Sequence, residues 1–418
     1  MKTTTTTTDA RPMPLKAWNG LTGWLSSAKH ATVGFSMLRI IFGLAMLIVL
    51  LPSFADRHYL WGEGSWWVEP EARRRGWWEL FRVIFPKDDP ALFDAAYFTL
   101  IALVVVFILG FKTRWVTPVL LVFWVGLSTN STLLTNGGDT LMRIVLVFAL
   151  FASLSEHFSV DAWLRRRAIA RGRTPRSFRP RWVPAWTGTW LHNTALILCC
   201  YQILLVYLVS SILKLQGQEW LDGTAFYYAL VLDEFRVLPG LSDLVTQWSW
   251  VIHLGTWMAF GVQLLFPLAL LWKPSRYVAV VLITFTHLGI AVLLGLWPFS
   301  LAMIAVDLLL IRDSSWERLG RLISLARRRV AEGLREGQPM TDAPATAGGT
   351  ARQAAPVAVA SVVPAAPPST KAQPVAKKAG PATAVPSTVR AATKPAAAST
   401  KRSSKGAAKR SRAKVSAR

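Results

Sequence analysis

The 418-residue sequence carries a formal net charge of +24, yet only 17% of its residues are charged while 52% are hydrophobic and 20 are tryptophan. A soluble domain carries roughly a quarter charged residues, so this composition excludes an ordinary water-soluble globule and points to an all-α, polytopic transmembrane helical bundle. Part of the positive surplus belongs to the last 80 residues, Pro339 to Arg418, where 14 lysines and arginines meet a single acid, Asp342.

Residues 1–32 read as a cytoplasmic N-terminal segment. The first apolar run begins near Val33, extends close to twenty residues and lacks a small-residue cleavage site. It is therefore expected to be a retained first span and not a removed signal. A hydrocarbon core of about 30 Å needs about 20 apolar helical residues, and the sequence offers eight such runs. They are approximately Val33 to Leu51, Leu92 to Phe111, Trp115 to Leu134, Thr140 to His157, Leu191 to Leu213, Trp248 to Trp272, Tyr277 to Leu296 and Pro298 to Ile311. The last is short enough to be a tilted or partial span, and together the eight define a transmembrane domain over 33–312.

Loop charge orients this domain, because lysine and arginine in short loops mark the cytoplasmic side. Lys112 and Arg114, Arg165 to Arg181, and Lys273 with Arg276 all fall inside if both termini are inside. The fifth-to-sixth loop, acidic through Glu219, Asp222, Asp233, Glu234 and Asp243, falls outside. The long first outer loop departs from the rule through Arg73, Arg74 and Arg75, and it also holds Trp61, Trp66, Trp67, Trp77 and Trp78, which suit headgroup depth. Beyond the last span, Leu319, Leu322, Ile323, Ala326, Val330 and Leu334 recur at helical spacing among arginines. That pattern predicts an amphipathic interfacial helix over 313–338 on anionic lipid. From Pro339 to Arg418 the Ala, Pro and Lys bias cannot bury a core, and a disordered tail is expected.

Ionisable groups inside apolar spans are costly and call for a partner or a purpose. Asp139 and Arg143 stand four apart at the outer start of the fourth span, the spacing of an ion pair on one helix face. Lys214 closes the fifth span, where it either snorkels to the interface or, partly withdrawn from water, serves as a base. His253 and His287 lie in the sixth and seventh spans, as satisfied core histidines or as members of a ligand site. Arg39 and Asp307 sit near inner ends of spans, to serve that interface or to pair with other helices. Adjacent Cys199 and Cys200 support neither a disulfide framework nor a thiolate metal site. No metal-ligand spacing, phosphate loop, nucleophile elbow or triad signature occurs. The basic tail lacks interleaved aromatics, so no specific nucleic-acid partner is expected.

Three segments taken together carry a family resemblance: Leu38-Arg-Ile-Ile-Phe-Gly-Leu with Asp56-Arg-His-Tyr-Leu; Asn136-Gly-Gly-Asp-Thr-Leu running to Phe158-Ser-Val-Asp161; and Lys214-Leu followed by Glu219-Trp-Leu-Asp-Gly-Thr-Ala-Phe-Tyr-Tyr228. A later stretch, His287-Leu-Gly-Ile through Trp297-Pro-Phe-Ser-Leu-Ala-Met303, fits the same pattern. Over roughly Phe35 to Ile311 the chain resembles the HTTM family, the horizontally transferred transmembrane domain related to vitamin K-dependent gamma-carboxylase. The resemblance implies a helical membrane domain with a polar centre open to the non-cytoplasmic side, in a multi-pass protein of the bacterial cytoplasmic membrane. In the carboxylases a lysine in a Lys-Leu motif acts as the base on reduced vitamin K, and Lys214 matches it, so a reduced quinone is a cofactor by resemblance alone. Their Asn-Asn-His motif corresponds here to Asn136-Gly-Gly-Asp139, without the histidine. Bacterial members of the wider family include a membrane protein that helps to mature a secreted toxin peptide.

The reading that follows is an outward-facing polar pocket of Asn136, Asp139, Arg143, Lys214, His253 and His287 that handles a lipid-soluble, quinone-like or peptide ligand, with Lys214 as the candidate base. The alternative is a non-catalytic maturation or export partner for a secreted peptide, contacting membrane lipid and another membrane protein. A transporter is the least favoured, since repeat symmetry and paired broken helices are missing.

Overall fold

A segment in hydrocarbon must satisfy its backbone polar groups internally, and the helix does so within one stretch of chain. The computed structural model describes residues 13–67, 77–174 and 184–336, and over them the regular structure is helical throughout. The helices are α1 (Met13–Ser27), α2 (Thr32–Leu50), α3 (Arg57–Leu60), α4 (Pro90–Leu109), α5 (Thr113–Asn130), α6 (Gly137–Ala149), α7 (Val160–Ala170), α8 (Ala185–Lys214), α9 (Gln218–Leu221), α10 (Ala225–Val231), α11 (Pro239–Thr246), α12 (Ser249–Ala269), α13 (Lys273–Leu293), α14 (Trp297–Asp307) and α15 (Asp313–Glu336). The expected tail from Pro339, and Arg73 to Arg75, lie outside the described residues.

Helices α2, α4, α5, α6, α8, α12, α13 and α14 pack against one another in one bundle. Five of them, α2, α4, α8, α12 and α13, are long and apolar enough to cross a membrane. Of the remaining expected spans, α5 has 18 residues with Pro118 inside it, and α14 is an 11-residue helix continued by a 3-10 turn at Leu308–Leu310. The largest difference is the fourth, expected over Thr140 to His157, because α6 stops at Ala149. Its 13 residues span only about 20 Å at 1.5 Å per residue. Beyond it the backbone is held by side chains from elsewhere: Ser153 N donates to His192 Nδ1 (3.0 Å) and His157 N to Ser36 Oγ (3.1 Å).

The core is apolar and drawn from most of the long helices, with Phe35, Phe42, Tyr97, Phe107, Tyr207 and Phe266 among its fully buried side chains. Polar ties join distant stretches through it. Arg39, fully buried in α2, gives Nη1 to the carbonyls of Phe107 (2.9 Å) and Ile108, and Nη2 to that of Phe158 (2.6 Å). A helix C-terminus exposes carbonyls that have no partner within the helix, and the guanidinium supplies donors to them at the end of α4. Gly110, at φ 69°, turns the chain there in the left-handed region, and a Cβ at that position would collide with the Arg39 guanidinium. Arg39 is thus a structural cation in this fold.

At the same end, Asp313 of α15 caps α2. Its carboxylate accepts from Thr32 N (2.9 Å), Val33 N (2.9 Å) and Thr32 Oγ1 (3.1 Å), joining residues about 280 positions apart in the manner of an N-cap acid. Asn193 of α8 clasps the α1–α2 elbow, donating to the carbonyls of Leu25 (2.9 Å) and Ala28 (2.8 Å) and accepting from His30 N (3.0 Å). His192 beside it accepts through Nδ1 from Ser153 N, so its Nε2 must carry the proton that meets the His30 carbonyl at 2.7 Å.

Replacing Arg39 by Met takes the guanidinium from the Ile108 and Phe158 carbonyls, while that of Phe107 keeps Gly110 N as a donor, and should lower stability by about 3 kcal/mol. A melting curve of the detergent-purified variant checks this, and an unchanged Tm would remove Arg39 from its structural role.

Candidate functional site

On α8, Tyr207, Ser211 and Lys214 stand at i, i+4 and i+7 and so share one helix face. At 1.5 Å per residue that stripe is about 10 Å long. It forms a polar seam with groups from three other helices: Gln263 of α12, His287 of α13 and Asp307 of α14.

Lys214, half-buried, lies at the end of the seam away from the arginine-rich loops. Its Nζ donates to Gln263 Oε1 at 2.6 Å and approaches the Ala259 carbonyl at 3.5 Å, while Trp220, from α9, puts its ring 4.9 Å from the ammonium. No carboxylate lies within ion-pair distance of Lys214 among the described residues. Dipoles and one aromatic face alone compensate this cation.

Deeper in the seam, Tyr207 Oη donates to Asp307 Oδ2 at 2.7 Å and stands 3.2 Å from His287 Nε2. All three side chains are fully buried. With the phenolic proton given to Asp307, His287 must donate through Nε2, which leaves its Nδ1 as the bare nitrogen. Among the described residues that nitrogen has no hydrogen-bond partner, nor do Asp307 Oδ1, Ser211 Oγ and Ser300 Oγ, although all four are buried. Ser300 and Asp307 lie seven residues apart on α14 and so share its face.

The structure separates the other predicted site residues from this seam in different degrees. Asn136 and Asp139 form a reciprocal capping box at the start of α6: Asn136 Oδ1 accepts from Gly138 N (2.7 Å) and Asp139 N (3.3 Å), and Asp139 Oδ2 accepts from Asn136 N (2.9 Å). The ion pair expected from Asp139 and Arg143 is not formed. The carboxylate is committed to the cap, and Arg143 instead reaches Thr140 Oγ1 at 3.2 Å and the Asp139 backbone carbonyl at 3.4 Å. Arg143 lines an apolar cavity of about 580 Å³ between α5 and α6. The capping residues adjoin the seam through Phe299, whose ring centroid is 5.7 Å from that of His287 and whose backbone approaches Gly138 so closely that a Cβ there would be 2.8 Å from Phe299 Cα. His253 is exposed and sits beside Gly223, apart from the seam's hydrogen bonds.

Tyr207, Ser211, Gln263 and Asp307 are the site members that sequence reasoning passed over or left without a role. The stripe was visible in the Tyr207-Leu-Val-Ser-Ser-Ile-Leu-Lys spacing, whereas nothing in the sequence pairs Gln263 with Lys214. A second polar cluster lies at the same end of the bundle: Arg57 grips Asp94 with two bonds (2.7 and 3.0 Å), and His58 Nε2 meets the same carboxylate at 3.0 Å. Donating to the Asp94 carboxylate raises the pKa of the Arg57 guanidinium above its usual value. No group of three or more His, Cys, Asp or Glu side chains is gathered for a metal among the described residues.

Long apolar helices with a polar seam between them define an integral, multi-pass membrane protein. The chain belongs to the HTTM domain family, whose model matches residues 29–316. It is similar to the uncharacterized protein YitO of Bacillus subtilis (strain 168), 33% identical over 113 residues that cover 26% of this chain and 36% of that protein. The chain thus matches little more than a third of that relative's length. No solved structure matches it.

Tyr207→Phe removes the hydroxyl that joins His287 to Asp307 and strands both. A stability loss of about 2 kcal/mol is expected, read as a lowered melting temperature, while a native-like melt would show that the phenol bridges nothing of consequence.

Proposed function

We propose that this protein sits in the bacterial cytoplasmic membrane with both termini cytoplasmic, and that its seam receives the acidic hydroxyl of a lipid-soluble, quinol-like ligand, or a peptide, from the outer side. The orientation rests on Lys112, Arg114, Arg165 to Arg167, Lys273 and Arg276, which lie at the end of the bundle opposite Lys214. The observation that carries the reading is Lys214 itself. A lysine ammonium in a helical bundle ordinarily finds an acid, and this one is held by an amide oxygen, a carbonyl and an indole face. An acidic or anionic group of a ligand is the partner such a cation lacks.

The donor set suits a quinol. Lys214 faces an acidic hydroxyl, Ser211 and His287 hold unspent hydrogen-bonding capacity along the seam, and Trp220 adds a flat aromatic surface. The resemblance to the carboxylases gives Lys214 the role of base, with a reduced quinone as cofactor. The missing histidine in Asn136-Gly-Gly-Asp139 argues against gamma-carboxylation as the reaction. Asn136 and Asp139 serve in this reading as positioning residues that fix α6 against Phe299 and so against His287.

A second reading is a non-catalytic partner in the maturation or export of a secreted peptide. It is favoured by the exposed aromatics Tyr228, Trp248 and Trp250 at the same end of the bundle, a surface suited to another chain.

The discriminating experiment measures binding of a reduced naphthoquinone to the protein in lipid nanodiscs, with Lys214→Met and Gln263→Leu as variants. A loss of about tenfold in affinity in each, worth about 1.4 kcal/mol, is expected. Unchanged binding in both would overturn the ligand reading and favour the partner role.

A further inference from the structure

A cavity of about 880 Å³ opens at the arginine-rich end of the bundle, where the α1–α2 elbow, α8 and the α14–α15 junction meet. It falls within the roughly 300–1,000 Å³ of ordinary ligand pockets, and it is separate from the Lys214 seam. One wall is apolar: α8 lines it from Leu196 to Leu204, about 12 Å along the helix axis at 1.5 Å per residue, faced by Leu270 and Leu309.

Cys200 and Tyr201 lie on that wall, and the cations of the lining are Arg276 and Arg312. Arg276 gives Nη2 to the Leu270 carbonyl at 2.8 Å. Arg312 is exposed, and its side chain makes no hydrogen bond or ion pair among the described residues. The lining also holds Asp313, but both oxygens of that carboxylate are taken by the N-terminus of α2. His30, Cys200 and Tyr201 complete the titratable groups facing the space, and His30 Nε2 is buried without a partner. On either side lie helices suited to a membrane surface: α1, with Trp18, Leu21 and Trp24 exposed along one strip, and α15, with Leu319, Leu322 and Ile323 exposed among arginines.

We propose that this cavity is a binding site for one anionic phospholipid, with an acyl chain along the Leu204 and Leu270 wall and the phosphate held between Arg276 and Arg312. Charge complementarity commits the site to an anionic headgroup, because the only carboxylate in the lining is engaged by a helix terminus. The apolar wall commits it to a lipid and not to free phosphate. Ordinary interfacial arginines attract anionic lipid loosely over a surface, whereas here two arginines line one cavity of about 880 Å³. A lipid seated there would tie α1 to the α14–α15 junction, the same two regions that Asp313 and Asn193 already fasten to α2 and α8.

The test uses the full chain, stripped of lipid in a neutral detergent and offered equal amounts of phosphatidylglycerol and phosphatidylcholine with matched acyl chains. Native mass spectrometry then counts the lipid retained. The unaltered protein should keep one phosphatidylglycerol in preference to phosphatidylcholine, and the double variant Arg276→Gln/Arg312→Gln should lower that preference by about tenfold. Arg276 also caps α12, so Arg312→Gln, whose side chain has no partner to lose, decides the matter should the double variant fail to fold. Ile197→Trp crowds the apolar wall, leaves both arginines and should reduce retention of either lipid. The proposal is overturned by equal retention of the two lipids in the unaltered protein, by an unchanged preference in the folded arginine variants, or by displacement of the bound lipid with millimolar inorganic phosphate.

Discussion

Every polar group in this bundle must find its hydrogen bonds within the protein, because hydrocarbon supplies none. That constraint explains why so many helix ends are closed by side chains from far along the sequence. Arg39 of α2 closes α4, Asp313 of α15 closes α2, Asn193 of α8 closes the α1–α2 elbow, and Tyr97 of α4 gives its hydroxyl to the Leu50 carbonyl at the end of α2 (2.7 Å). Each tie joins elements that apolar packing alone would leave free to slide, and together they hold the arginine-rich end and the loop-rich end in register.

The seam along α8 differs from those ties in kind. Tyr207 is hydrogen-bonded to both His287 and Asp307, yet among the described residues His287 Nδ1, Asp307 Oδ1 and Ser211 Oγ have no partner, although buried polar atoms are ordinarily satisfied. Lys214 completes the contrast, since it is the seam's cation and meets only neutral acceptors. Where a bundle leaves polar capacity unspent across several facing helices, a ligand that supplies the matching groups is the economical physical account. The α6 capping box stands behind this arrangement. With Gly138 in place, Phe299 packs directly on the helix start, and Phe299 in turn backs the His287 ring.

Much of the helical architecture was legible in the sequence, because the run length of apolar residues is a local property. The five long apolar helices fall where those runs predict. The fourth run misled: Thr140 to His157 reads as a continuous span, but the stretch after Ala149 leaves the helix and is held by Ser36 and His192, partners invisible to a local reading. Helix α1 was not anticipated, since Gly20 and Gly23 lower its helical propensity and its docking depends on Asn193. Lys214 and His287 could be singled out as ionisable groups in apolar surroundings. Their counterparts could not, because Gln263 and Asp307 acquire a role only when α12 and α14 are brought against α8. Asp139 and Arg143 show the converse error, in which a correct spacing suggested an ion pair while the capping geometry claimed the carboxylate.

The central claim is that Lys214 stands in a polar seam reached from the side opposite the arginine-rich loops. It is tested most directly by placing a cysteine there, Lys214→Cys, in a chain whose Cys199 and Cys200 are replaced by serine, and treating intact cells and inside-out vesicles with a membrane-impermeant thiol reagent. Labelling in intact cells is the predicted result. Labelling confined to inside-out vesicles would contradict the account.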